Sequence, residues 1–214
     1  MIGIIQSLVT PITGSLTPSF VFGTAIQANN DVFLIVIPNG GATVSVFPTG
    51  ATLLYTGATI YSSPIYFVRI PSASASGLTT FSFTQSSLQV LDVFGYEIAG
   101  STGTLDVTAA YTQSAGTPAL SSVFTTTQNS EYCFCVSSNY SGGTLTAGQG
   151  WSALGDAARY YCSLAGISGA AGVVTTVGSQ TTGTGTLPWV NVTLLSAASS
   201  SGGGSSGPSV YGMA

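Results

Sequence analysis

The sequence predicts an all-β fold. Three observations lead there. Short β-type segments follow one another, divided by Gly, Ser, Thr, Asn or Pro. Several of these segments alternate apolar and polar residues with period two. No stretch shows a helix period with caps and charge pairs, because the chain has no lysine and few glutamates, residues that usually clothe helix surfaces.

The segments come in order as Ser19–Ile26, Asp31–Ile37, Ala42–Phe47, Ala51–Tyr55, Ile65–Ile70, Thr79–Thr84 and Gln89–Ile98. Thr104–Ala109, Ser121–Thr127, Glu131–Ser137, Gly143–Thr146, Ala157–Leu164, Gly172–Val177 and Thr186–Leu195 follow. Val32–Ile37 is apolar on both faces, as expected of a strand covered on each side. In Tyr66–Ile70, Phe67 and Arg69 share one face while Tyr66, Val68 and Ile70 share the other. In Thr80–Thr84 the aromatics face one way and the hydroxyls the other, the mark of a half-buried antiparallel strand. One turn of helix near Ala153–Arg159 is the exception. Roughly a dozen or more short strands with this spacing make a sandwich or a barrel.

Ser199–Pro208 has no bulky side chain and reads as a linker. It leads to Ser209–Ala214, either a frayed tail or an arm whose Val210, Tyr211 and Met213 dock on a neighbour. The division expected is an N-terminal arm over residues 1–18, a β-domain over 19–196, and a Gly/Ser-rich tail over 197–214.

Charge is scarce. Charged residues make up 4% of the chain, against about 25% in an ordinary domain. Arg69 and Arg159 are the basic residues; Asp31, Asp92, Glu97, Asp106, Glu131 and Asp156 are the acids. Disorder is not expected, since 44% of residues are hydrophobic and 10% aromatic. The apolar runs fall far short of the roughly 18–20 residues that span a bilayer, so no membrane insertion is expected. Two isolated arginines and a net charge of −4 exclude a phosphate-binding surface, so no nucleic-acid partner is expected. The first residues carry no basic region and no clear cleavage site, so no signal peptide is expected.

The same scarcity removes most chemistry. Without histidine there is no Ser-His-Asp or Cys-His mechanism, and without lysine no Schiff base. Asp92 and Glu97 lie five apart on one strand and point to opposite faces, which does not suit a glycosidase pair. Gly202–Gly204 lacks the lysine and following helix of a phosphate loop. Neither an enzyme nor a cofactor is expected. Cys133 and Cys135 share one strand face, and Cys162 is the other intrachain cysteine. Cys135 and Cys162 form a candidate disulfide; the alternative is three small buried hydrophobes. Three sulfurs without an imidazole fall short of a tetrahedral zinc site.

A glycan partner stays open. Trp151, Tyr140 and Tyr61 are candidate platforms for a sugar ring, or else packed aromatics; Trp189 reads as core. Sequons at Asn139–Ser141 and Asn191–Thr193 are close to what a Ser/Thr-rich chain gives by chance. A neutral surface, however, avoids the cost of burying charge at an interface. Many copies of such a subunit could pack closely with little salt dependence. The alternative is adaptation to an unusual solvent such as acid.

Asp92–Gly100, Gly103–Ala110, Val123–Thr127, Glu131–Val136, Thr146–Trp151 and Trp189–Leu195 together resemble a β-sandwich module that recurs in bacteriophage virion proteins and bacterial surface proteins. The resemblance covers most of residues 19–196 and carries over no functional residue. It implies a non-enzymatic, antiparallel, jelly-roll-like β-sandwich. A virion protein assembled in the host cytoplasm needs no signal peptide, so the expected role is a virion structural protein, most specifically a capsid decoration or cement subunit. Its partners would be further copies and other capsid proteins. An extracellular adhesin or tail-fibre module that binds glycan, or a filament-forming surface protein, is the alternative.

Overall fold

A computed structural model describes residues 3–60, 63–113, 119–127, 131–138, 145–147, 151–154, 161–167, 172–180 and 187–196. The elements are β1 (Gly3–Ile12), β2 (Ser19–Val21), β3 (Asn30–Pro38), β4 (Val44–Val46), β5 (Thr52–Ile60), β6 (Ser63–Ile70), α1 (Ser72–Ala75), β7 (Thr80–Ser82), β8 (Thr84–Gln85) and β9 (Leu91–Ala99). The remainder are β10 (Ser101–Gln113), β11 (Ala119–Thr126), β12 (Tyr132–Ser138), β13 (Leu145–Ala147), β14 (Trp151–Leu154), β15 (Tyr161–Ile167), β16 (Gly172–Gln180) and β17 (Leu187–Ser196). The fold is all-β, as the period-two pattern requires, and its ladders are antiparallel.

One five-stranded sheet, ordered β1-β9-β3-β6-β5, forms the centre. A second, β10-β17-β12-β15-β14, and a three-stranded sheet, β11-β16-β13, are built from the second half of the chain. Two small ladders, β2-β7 and β4-β8, come from the connections of the first half.

The central sheet is covered on both faces, and β3 records this in its sequence: all nine of its residues are buried. Phe33, Ile35 and Ile37 enter one core cluster; Val32, Leu34 and Val36 enter the other. On β6, Phe67 joins the first cluster while Tyr66, Val68 and Ile70 join the second, as the alternation predicts. The inner face is closed by Tyr132, Phe134 and Val136 of β12. Phe134 sits 4.8 Å from the Tyr96 ring and 5.6 Å from Phe67, distances at which aromatic pairs attract beyond their buried area.

The outer face is closed differently, by Phe20, Phe22, Ile26, Val44, Ala75, Phe81 and Phe83 from the small ladders, α1 and the loops between them. Here Gly95 on β9 has a specific task. A Cβ at that position would stand 2.5 Å from the Phe20 ring and 2.9 Å from Phe22, so the rings reach the sheet because no side chain stands there.

Several local expectations change. Residues 3–12, taken as part of an arm, form β1 at the edge of the central sheet, paired with β9 from Gly3↔Ala99 to Ile12↔Leu91. Their weak signal has a cause: an edge strand is only partly buried and tolerates Pro11. The segment expected over Ser19–Ile26 is strand only to Val21, and Thr79–Thr84 breaks at Phe83. An unexpected helical turn occupies Ser72–Ala75. Of the helical turn expected near Ala153–Arg159, Ala153 and Leu154 belong to β14, and residues 155–159 lie outside the described residues.

Candidate interaction surface

Arg69, Asp31, Asp92, Glu97 and Asp106 are tied down through their side chains. Asp31 is buried, and its Oδ2 accepts from Arg69 Nε at 2.9 Å while its Oδ1 accepts from Ser72 N at 2.9 Å. Arg69 Nη2 completes the ion pair at 2.9 Å. Asp92 is buried and accepts from Asn39 Nδ2 at 2.7 Å. Asp106 accepts from the backbone and hydroxyl of Thr127 at 2.7 and 2.6 Å. Glu131 is buried just before β12, where its carbonyl oxygen accepts from Cys133 Sγ at 3.7 Å. Among the described residues, four of the five acids are thus buried: Asp31, Asp92, Glu97 and Glu131.

Glu97 explains how one face becomes neutral. It lies on β9 in the same alternation as Leu91 and Val93, which pack on the outer layer. Its Oε1 accepts from Gln27 N at 2.8 Å and Asn30 Nδ2 at 2.7 Å, and its Oε2 accepts from Gln6 Nε2 at 2.6 Å. A fully buried carboxylate satisfied by three donors holds the 24–30 loop to the sheet and shows no charge outside. Asp92 and Glu97 face opposite sides of β9, so they do not form a carboxylate pair.

Above this anchor, segments 13–29, 38–50 and 71–90 contain no charged residue at all. They carry most of the outer layer. Exposed on them are Leu16, Val21, Val46, Leu78 and Leu88, each showing between 46% and 63% of its surface to solvent. Single exposed apolar residues are ordinary; five among uncharged hydroxyl-bearing neighbours make a face suited to contact.

A groove of about 370 Å³ opens in this layer, lined by Val46, Phe47, Pro48 and Thr49 on one wall and by Leu78 and Thr80–Thr84 on the other, with Thr17 alongside. Its shape follows from a change of partner. β7 pairs with β2 on one side, Phe20 opposite Phe81. Two residues further on, β8 pairs with β4 on the other side, Val46 opposite Thr84. β4 cannot extend along β7: its register shifts between Val44 and Val46, Phe47 turns in against the Tyr66 ring at 5.4 Å, and Pro48 has no N–H to donate.

Among the described residues, one edge of β7 is therefore left without a strand. Phe22 N bonds to Thr79 O and Phe83 N to Pro18 O, both at 2.9 Å, in phase with the Phe20–Phe81 pair. The antiparallel alternation then turns the N–H and C=O groups of Thr80 and Ser82 away from β2, toward the groove.

The sequence-derived site residues fall as follows. Cys133 is buried on β12. Cys135 stands opposite Leu164 and Cys162 opposite Ser137, so the two candidate cysteines occupy adjacent strands at diagonal rather than directly opposed positions. Trp151 begins β14, and Trp189 lies on β17 opposite Tyr111. Tyr61, Tyr140, Val210, Tyr211 and Met213 lie outside the described residues. Among the described residues no group of three His, Cys, Asp or Glu could hold a metal ion. No described helix is long and apolar enough to cross a membrane. The groove escaped sequence reading; its one visible signal is Phe47-Pro48 ending a strand segment before a second run of residues begins at Ala51.

Comparison with protein-family models, with curated proteins and with solved structures finds no match to this chain.

Proposed function

We propose that this protein is a non-enzymatic assembly subunit that works by packing its neutral outer layer against other protein surfaces. The carrying observation is the charge-free run of segments 13–29, 38–50 and 71–90 with five half-exposed apolar side chains, above a carboxylate that is turned inward. Such a face desolvates cheaply, because no ion must be stripped of water when it is covered. The segment resemblance to virion sandwich modules directs the reading to a capsid decoration or cement subunit in a bacteriophage particle, with further copies and capsid proteins as partners.

Electron microscopy of particles carrying the protein tests this: a regular lattice of the subunit on a capsid is expected. Attachment should change little between low and high salt near neutral pH, since the face offers no charges to screen. A protein that stays monomeric, attaches to no particle and binds free glycans would replace this reading with the adhesin one, for which the hydroxyl-lined groove would be the place to look.

A further inference from the structure

The groove beside β7 has the features of an unfilled strand position. We propose that it receives the chain's own C-terminal segment, Ser209–Ala214, laid down as an added strand on the open edge of β7. The inference rests on the reading of the outer layer as a packing face and names what enters it.

The main chain supplies the first half of the argument. Thr80 and Ser82 turn their backbone groups into the groove, and Pro48 with the inward turn of Phe47 keeps β4 from using them. An added strand uses such an edge through backbone bonds and takes its specificity from pockets for alternate side chains. Val46 and Leu78, each about half exposed, stand on the two walls as those contacts.

The occupant follows from chemistry and reach. The described lining contains no charged group, so a charged peptide gains nothing there and loses hydration, whereas an uncharged one does not. Ser209–Ala214 has no charged side chain, and period two puts Tyr211 and Met213 on one face. The last strand, β17, ends at Ser196, opposite Ser101, which lies two residues beyond Ala99. Ala99 pairs with Asn30, close to Ile26, whose N–H bonds to Leu78 O at one end of the groove. The described chain therefore leaves β17 near the end of the central sheet at which Leu78 lies. Residues 197–208 span at most about 40 Å when extended, against about 30 Å across a small domain, so the segment reaches this groove or that of a touching copy.

Hydrogen exchange at the Thr80 and Ser82 amides reads the contact directly. Full-length protein should exchange these two amides at least roughly tenfold more slowly than a chain ending at Ser196, and adding the peptide Ser209–Ala214 to the shortened chain should restore the protection. The full-length double variant Tyr211→Ser, Met213→Ser should exchange like the shortened chain while Phe81 stays protected, which separates lost docking from lost folding. Equal exchange in full-length and shortened protein overturns the inference. So does protection restored by a neutral oligosaccharide and not by the peptide. Particle attachment measured on the same samples keeps the two readings apart. Unchanged amides with attachment intact sink only the tail; protected amides without attachment sink only the assembly reading.

Discussion

The two faces of the central sheet are equally buried and differently built. The inner face is closed by β12, a strand inside a second five-stranded sheet, through the closely set rings of Tyr132 and Phe134. The outer face is closed by ladders of two or three residues and the loops between them, with Glu97 as its polar anchor. Continuous strands satisfy one another's backbone and leave little to offer. Short ladders that change partners leave an edge open, as β7 does, and present half-exposed apolar side chains. The contrast teaches that the structural face and the presenting face can share one sheet.

If the inner face carries the fold, truncating its central ring should have the largest effect. Phe134→Ala removes contacts to Phe67, Tyr96 and Tyr132 and is expected to cost about 3–5 kcal/mol in denaturant unfolding. A loss below about 1 kcal/mol would mean that the second sheet is an attachment rather than half of the core.

The outer cover should be separable. Gly95→Ala sets a methyl 2.5 Å from the Phe20 ring, and the overpacking is expected to cost about 1–3 kcal/mol. Hydrogen exchange should rise at Phe22 and Phe83 while the amides of β12 keep their protection. A uniform rise in both places would show that the two covers unfold as one unit, and the comparison would fail.

A smaller effect belongs to the seam between β1 and β12. The Tyr132 hydroxyl is buried and accepts from Ile4 N at 2.8 Å. Burial pushes the phenol above its ordinary 10.0, and the Ile4 bond opposes this in part. The folded state therefore prefers the neutral phenol. Its contribution is fully present below the unfolded value near 10 and is lost as pH rises toward the folded value. The slope attributable to this group is at most about 1.4 kcal/mol per pH unit. Tyr132→Phe should flatten that part of the alkaline profile in a pH series of urea melts; an unchanged profile would assign the loss to other groups.

Most strands were legible because alternation and turn residues are local signals. Phe67 against Val68, and Phe81 and Phe83 against their hydroxyl neighbours, went to the faces that their spacing predicts. The double burial of β3 was legible for the same reason. β1 was not, because an edge strand holding Gln6, Ser7, Thr10 and Pro11 lacks a continuous apolar face. The interaction surface was half legible. The sequence shows that segments 13–29, 38–50 and 71–90 lack charge, but their convergence over one sheet face depends on pairings such as Phe20↔Phe81, 61 residues apart. The inward turn of Glu97 depends on donors from three other segments, and no spacing in the chain announces it.

The smallest effect on stability should carry the largest on function. Leu78→Lys and Val46→Lys replace side chains that are about half exposed, so each is expected to move folding stability by no more than about 0.5 kcal/mol. Each also places an unpaired ammonium in a face that otherwise has no charge, where covering the face would strip it of water without a partner. Attachment or self-association should weaken at least roughly tenfold, as sedimentation of the two variants against the parent protein would measure. Lysine at Leu53, an apolar position 41% exposed on the edge strand β5 and outside the three charge-free segments, is the control: the same charge there should leave association unchanged. Equal weakening from all three positions would mean that added charge acts through the whole surface, and the outer layer would lose its special standing.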